Sequence, residues 1–347
     1  MITKENYSEE HIRAIQASSR RDPGLIERSL YAMGLLEALR LSGMDFIFKG
    51  GSCLMLLLPH IMRLSTDIDI VVAPGTDVYS FIEKASKIFP FKDKKEETRK
   101  GKNNIVKKHF KFTYYSPIRQ SDFYILLDIL FEENNYEALT EKKIENELLL
   151  TEGDSLSVYT PSIDCILGDK LTAFAPYTTG IPLRQDKDME VMKQFFDIGT
   201  LISEYKNFDH VLKTYRKVAL AEIGYRGKDF SIQDVLRDTI SSSIVIAARG
   251  KVGEEDYSVF KDGIHAVSTH IFGENYSCEL AAYRAANVIY MAACLLGETE
   301  YIGIDSYDEL IGEQLKTPEL KILARMRKAQ PLQYAYLVKA DRILSEL

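Results

Sequence analysis

Apolar residues recur at helical spacing from about Asp22 to Ser42, at Leu25, Ile26, Leu30, Met33, Leu36 and Leu39, and Gly43 supplies a stop. A helix is predicted there. The period then shortens: Asp45–Phe48 reads as a short strand, Gly50-Gly51 as a turn, Ser52 as an N-cap, and Cys53–Leu58 as a helix ending near Pro59. Ser65–Val72 (STDIDIVV) alternates like a strand and is closed by Pro74-Gly75, and a helix is predicted over about Val78–Ile88. Lys107–Tyr115 and Phe123–Phe131 also read as strands. The second, FYILLDILF, is apolar on both faces, as expected of a central strand.

From Thr160 onward the periodicity is helical. Thr160-Pro161 has the chemistry of an N-cap and first-turn pair, and helices are predicted at Ser162–Phe174, Asp188–Glu204, Ser231–Arg249, Cys278–Leu296 and Pro318–Lys328. At 347 residues the chain exceeds what one core usually fills. The expected fold class is α+β: a mixed-sheet domain over residues 1–155, then an all-helical domain over 156–347 that contributes to a cleft. The join is expected between Thr151 and Thr160.

Composition narrows the function classes. Cys53, Cys165, Cys278 and Cys294 lie far apart without a C-x-x-C pair, which argues against a zinc site or a disulfide framework and suits a reducing cytoplasm. The opening MITKENYSEEHIRA lacks the apolar core of a signal peptide. Leu280–Leu296 is interrupted by Arg284 and Asn287 and reads as a buried helix, so no membrane span is expected. A net charge of −7 argues against a general nucleic-acid coat protein. Any phosphate contact must be local, and Lys92–Lys111, with nine Lys or Arg against three acidic residues, is either a solvated hairpin turning at Gly101 or a phosphate-tracking surface.

The chemistry concentrates in Lys49–Ile70, KGGSCLMLLLPHIMRLSTDIDI. Gly50 and Gly51 allow close backbone approach, and Ser52 with the following amides offers donors to an anion; an ordinary turn would look the same. Asp67 and Asp69 flank Ile68 in a strand, so their carboxylates share a face. Like charges side by side repel, and a hard divalent cation or open solvent would relieve them. Asp128 interrupts the apolar run Tyr124–Leu130 and needs a partner, either a salt bridge or, if its strand adjoins that of Asp67 and Asp69, shared metal ions. Lys170 falls within the apolar stripe of Ile163, Ile166, Leu167 and Phe174, either snorkelling or reaching for phosphate. Lys193 and Asp197 are spaced as a helix ion pair.

KGGSCL followed by RLSTDIDI resembles the first motif of the DNA polymerase β-like nucleotidyltransferases, and within them the AbiEii/AbiGii-type toxins. LGDKLTAF (Leu167–Phe174) and MEVMKQFFDIGTL (Met189–Leu201) resemble that family's downstream lysine and Lys…Asp motifs. The resemblance implies a magnesium-dependent enzyme that moves an NMP from an NTP to an acceptor hydroxyl with release of pyrophosphate. Asp67, Asp69 and Asp128 would hold two Mg2+ ions, with Asp128 helping to deprotonate the acceptor. Lys49, Gly50, Gly51, Ser52, Arg63 and Ser65 would contact or orient the nucleotide; Arg63 and Ser65 could equally cap local backbone. Lys170 and Lys193 would neutralise the triphosphate, with Asp197 orienting the latter lysine. It further implies a toxin of a toxin–antitoxin or phage-defence system, with a cognate antitoxin and tRNA or other RNA as acceptor, touched through Lys92–Lys111. Nucleotidylation of a small molecule or protein side chain, or a catalytically inactive fold used for interaction, is the competing reading.

The chain departs from relatives that carry an Arg-Asp pair before the final aspartate: it reads Arg184-Gln185-Asp186-Lys187-Asp188. His265 and His270 are badly spaced for a helical metal site, and no P-loop or G-x-S-x-G elbow occurs. Beyond Leu201 nothing diagnostic is legible.

Overall fold

Helix α1 (Glu9–Ser19) and the long α2 (Pro23–Leu41) open the computed structural model, which describes residues 1–97, 106–227 and 229–347. Asp22 caps α2 by accepting from the Leu25 amide at 3.0 Å, and Pro23 takes the first turn, where its missing N–H costs nothing. Ile12, Ile15, Ile26 and Leu30 of these helices share a core with Met55 of α3 (Gly50–Leu57). Each such side chain contributes about 1.5–3 kcal/mol by leaving water. The two helices and the sheet below belong to a first unit, Met1–Ser162 with Thr269–Glu274; Ile163–Ser268 with Asn275–Leu347 form a second.

The first unit is built on a seven-stranded mixed sheet. Its strands are β1 (Ile47–Lys49), β2 (Asp67–Val72), β3 (Phe91–Glu97), β4 (Lys107–Ser116), β5 (Ser121–Phe131), β6 (Leu139–Lys143) and β7 (Ser157–Pro161), in spatial order β3-β4-β5-β2-β1-β7-β6. A short helix, α4 (Tyr79–Ala85), joins β2 to β3. β2 runs parallel to β5 and antiparallel to β1, so the two strands rich in acid and aliphatic residues lie side by side near the centre. β5 is central, as expected, flanked by β4 and β2, and its two faces differ in burial. Ile125, Leu127 and Ile129 are buried, whereas Tyr124, Leu126, Asp128 and Leu130 occupy a half-buried face. β3 and β4 form the expected basic pair of strands, and the turn at Gly101 lies outside the described residues.

Two local expectations fail for tertiary reasons. Thr160-Pro161 does not start a helix: both residues finish β7, held between β1 and β6, and the helix begins at Ile163. Proline is tolerated because it sits at the strand's last position. Thr317-Pro318 likewise opens no long helix; the amides of Lys316 and Thr317 instead donate to the buried Asp341 carboxylate at 2.7 Å, which ties this segment to the helix that carries Asp341. A 3-10 turn at Lys321–Leu323 follows instead.

The second unit is helical: α5 (Ile163–Ala173), α6 (Asp188–Glu204), α7 (Phe208–Arg226), α8 (Ile232–Ala248), α9 (Glu254–Ser268), α10 (Cys278–Leu296), the single turn α11 (Met326–Ala329) and α12 (Pro331–Leu344). Ser231 closes a capping box with Asp234 at the head of α8. Between α9 and α10, the segment Thr269–Glu274 belongs to the first unit: Ile271 bridges Arg63, and Leu64 N donates to the His270 carbonyl at 2.7 Å. Among the described residues no helix is long and apolar enough to cross a membrane.

Candidate active site

Alternation along β2 buries Ile68 and Ile70 and leaves Asp67 and Asp69 on the half-buried face. The parallel register with β5 sets Asp69 directly beside Asp128 on that same face. The row continues in both directions: Lys49 of β1 pairs with Asp69, His109 of β4 with Asp128, and Glu97 of β3 with His109. Five strands thus align Lys49, Asp69, Asp128, His109 and Glu97 across the sheet, with Asp67 two residues along.

Neighbouring carboxylates repel. The chain supplies cationic or donating partners on each flank. Arg28 of α2 reaches Asp67 Oδ1 at 3.3 Å, Thr66 Oγ1 approaches the same oxygen at 3.5 Å, and His109 Nδ1 meets Asp128 Oδ1 at 2.7 Å. Lys49 lies over the Tyr136 ring, 5.5 Å from its centroid.

The two glycines answer different needs. Gly50 begins α3 with φ of +80°, in the left-handed region, and a Cβ there would fall on Asp69 Oδ2. The carboxylate therefore lies against the first residue of the helix. Gly51 is pressed by the Arg63 guanidinium, which is 5 % exposed. Arg63 is thus packed inside, supporting the helix start. Ser65, two residues before Asp67, is half-buried in the segment leading into β2.

Ser52 requires a correction. It is the third residue of α3, not its N-cap; Lys49 precedes the helix. Its hydroxyl, 1 % exposed, donates to the backbone carbonyl of Asp67 and ties the helix to the acid-bearing strand. The donors offered to an anion at this helix start are backbone amides.

The donor set, three carboxylates on one face of adjacent strands, has the hard-oxygen chemistry that a divalent cation takes. Asp67 is turned to Arg28, Asp128 to His109, and Asp69 lies against Gly50; among the described residues no three His, Cys, Asp or Glu groups are gathered closely enough to hold a metal. The three carboxylates thus come together on one face of adjacent strands.

In the helical unit, Lys170 of α5 forms an ion pair with Asp197 of α6 at 2.9 Å and donates to Gln194 Oε1 at 2.8 Å. Both charged side chains are nearly fully buried. Asp197 thus holds Lys170, and Lys193, the partner suggested by the sequence spacing, is half-buried on the same helix. Arg184, in the departing segment, has φ of +60° and pairs with Asp256 at 2.6 Å.

Four lysines of the described part of Lys92–Lys111 are paired with carboxylates. Lys92 pairs with Asp122 at 2.9 Å, Lys111 with Glu97 at 2.7 Å, Lys108 with Glu96 at 3.4 Å, and Lys94 with Glu83. Lys94 and Lys87 hold the Glu83 carboxyl down at about 2. Residues 98–105 lie outside the described chain.

Sequence reasoning missed Arg28 and His109. A signal for His109 exists: Phe110, Phe112 and Tyr114 mark the buried face of β4, which leaves His109, Lys111 and Thr113 on the other. Register decides that His109 meets Asp128, and register is not written locally.

Comparison with known proteins bears on this arrangement. No curated protein matches the chain. Two solved Helicobacter pylori structures resemble it at 14 % identity: JHP933, at a TM-score of 0.45 over 78 % of this chain and 93 % of its own, and a protein described as an inferred nucleotidyltransferase, at 0.46 over 80 % and 99 %. At that level they carry no argument about function. The family described as "Nucleotidyl transferase AbiEii toxin, Type IV TA system" matches residues 34–271. Since that match covers more than half of the chain, from within α2 through both the acid-bearing strands and the Lys170–Asp197 helices, this protein belongs to the AbiEii family of nucleotidyl transferase toxins.

Proposed function

We propose that this nucleotidyl transferase moves a nucleoside monophosphate from an NTP to an acceptor hydroxyl and releases pyrophosphate. One observation carries the reading: Asp69 and Asp128 stand in register on adjacent parallel strands, on the face that bears Asp67 and against the Gly50 start of α3. The acceptor oxygen forms a bond to the α-phosphorus while the bond to the β-phosphate oxygen breaks. Its proton passes to the Asp128 carboxylate, and pyrophosphate leaves with the electron pair. The amides at the head of α3, Gly50, Gly51 and Ser52, donate to phosphate oxygens. Arg63 holds that helix start by packing on Gly51, and Ser65 steers the chain into β2.

Two Mg2+ ions, held by Asp67, Asp69 and Asp128, would neutralise phosphate charge and acidify the attacking hydroxyl. The family resemblance assigns Lys170 and Lys193 to the triphosphate. The buried Lys170–Asp197 pair supports that role for Lys170, since it fixes a flexible ammonium in one position. Catalysis is then chiefly positioning and electrostatics.

The acceptor we favour is an RNA hydroxyl, tRNA first. Lys92 and Lys94 are held by the exposed carboxylates Asp122 and Glu83, pairs weak enough to be exchanged for phosphates. A cognate antitoxin follows from the family, and four unbridged cysteines suit a reducing cytoplasm.

The test is incubation with each α-labelled NTP, Mg2+ and either total RNA, total protein or small hydroxylated metabolites. Label should enter RNA, and transfer should fall with salt. Labelling of protein or small molecules alone would replace the RNA acceptor, and unchanged labelling by Asp67→Asn would remove the mechanism.

A further inference from the structure

We infer that His109 is a positioning residue for Asp128, holding one carboxylate oxygen so that the other is presented to cation and acceptor. The inference rests on the function proposed for Asp128. His109 and Asp128 are directly opposed across the antiparallel β4–β5 pair, and Nδ1 lies 2.7 Å from Oδ1. An ionised carboxylate can only accept, so Nδ1 carries the proton in this bond, and the distance is that of a charge-assisted one.

The surroundings leave His109 this role. It stands between two acids, Glu97 on β3 and Asp128 on β5. Glu97 takes Lys111 at 2.7 Å, and the imidazole is turned the other way, to Asp128. On the far side of Asp128 is Asp69, a like charge in register. Without the imidazole, that oxygen of Asp128 would lose its donor while the like charge of Asp69 stays in register beside it. The His109 side chain is 13 % exposed against 34 % for Asp128. The imidazole is therefore the walled-in member of the pair and the carboxylate the accessible one, as expected when a packed group orients a working one. Such outer partners of ligating groups typically govern 10–100-fold in affinity or activity.

Four variants and a resonance test this. His109→Leu removes the donor; His109→Asn keeps an amide donor near the position of Nδ1. In His109→Leu, Mn2+ affinity measured by EPR without nucleotide should fall about 10–100-fold, and kcat likewise, with KM for NTP within about 3-fold. His109→Asn should recover most of both. In the untouched protein, 15N NMR should show a proton on His109 Nδ1 that is lost in Asp128→Ala. A folded His109→Leu with unchanged Mn2+ affinity and kcat overturns the inference, as does a bare Nδ1 in the wild type, which decides the matter even if His109→Leu fails to fold. If His109→Leu is neutral while Asp128→Asn is inactive, this inference alone falls. Full activity in Asp128→Asn removes both it and the proposed role of Asp128.

Discussion

The acid row of the sheet and the ion pair of the helical unit are built in opposite ways. Asp67, Asp69 and Asp128 are half-buried, set side by side with like charge, and relieved by Arg28 and His109 at their flanks. Lys170 and Asp197 are buried with opposite charge and satisfied by each other and Gln194. The first arrangement accepts electrostatic strain to keep charge available at an accessible face. The second spends its charges on one another and is fixed, because separating two such desolvated groups is costly. Mutation in the acid row should therefore cost activity with little stability, whereas mutation of the helical pair should cost stability as well as the activity that Lys170 supplies.

The largest expected effect is on activity in the sheet. Asp69→Asn should lower kcat on the order of 10³-fold while leaving thermal stability equal to or above wild type, since it removes one of two opposed like charges. A melt and a label-transfer assay on the same sample check this; a large loss of stability would show that Asp69 is a structural acid. Next comes the helical pair. Lys170→Met strands Asp197 and should cost about 3–5 kcal/mol in denaturant unfolding, and Lys170→Met with Asp197→Leu should recover much of it. Additive losses in the double variant would contradict the pairing.

Gly50→Ala joins the two effects. The left-handed φ of +80° costs about 1–3 kcal/mol for a residue with a Cβ, and that Cβ displaces Asp69. Activity should fall by more than the stability loss explains, and a proportionate fall would argue against the close approach. The smallest effect lies on the exposed strands. Lys94→Gln should let the Glu83 carboxyl rise from about 2 toward 4.5, followed by 13C NMR titration. Because the folded value is depressed, this pair's contribution is present above pH 4.5 and disappears as pH falls toward 2. Titration unchanged by Lys94→Gln would leave Lys87 as the dominant partner.

What the sequence disclosed follows how local each signal is. The bounds of α6 and α10 matched expectation, because helical period, and for α10 the Ser277 cap, are written within a few residues. The DIDIVV alternation marked β2 and the shared face of Asp67 and Asp69 for the same reason. β7 was hidden behind a helix-start pattern at Thr160-Pro161, and the return of Thr269–Glu274 to the first unit has no local sign at all. At the site, Asp128 was legible as a charge misplaced in an apolar run. Its neighbours His109 and Asp69 depend on strand register, and Ser52 could be expected at an N-cap only until β2 was known to lie under α3. Lys170 was legible as a lysine in an apolar stripe; its partner one helix away was not.

If the acid row is the reacting centre, wild type and Asp128→Asn, matched for fold by circular dichroism, must differ in transfer of label from an α-labelled NTP. Wild type should transfer label in Mg2+ and release an equal amount of pyrophosphate, and Asp128→Asn should do neither. Equal transfer by both proteins would contradict the account.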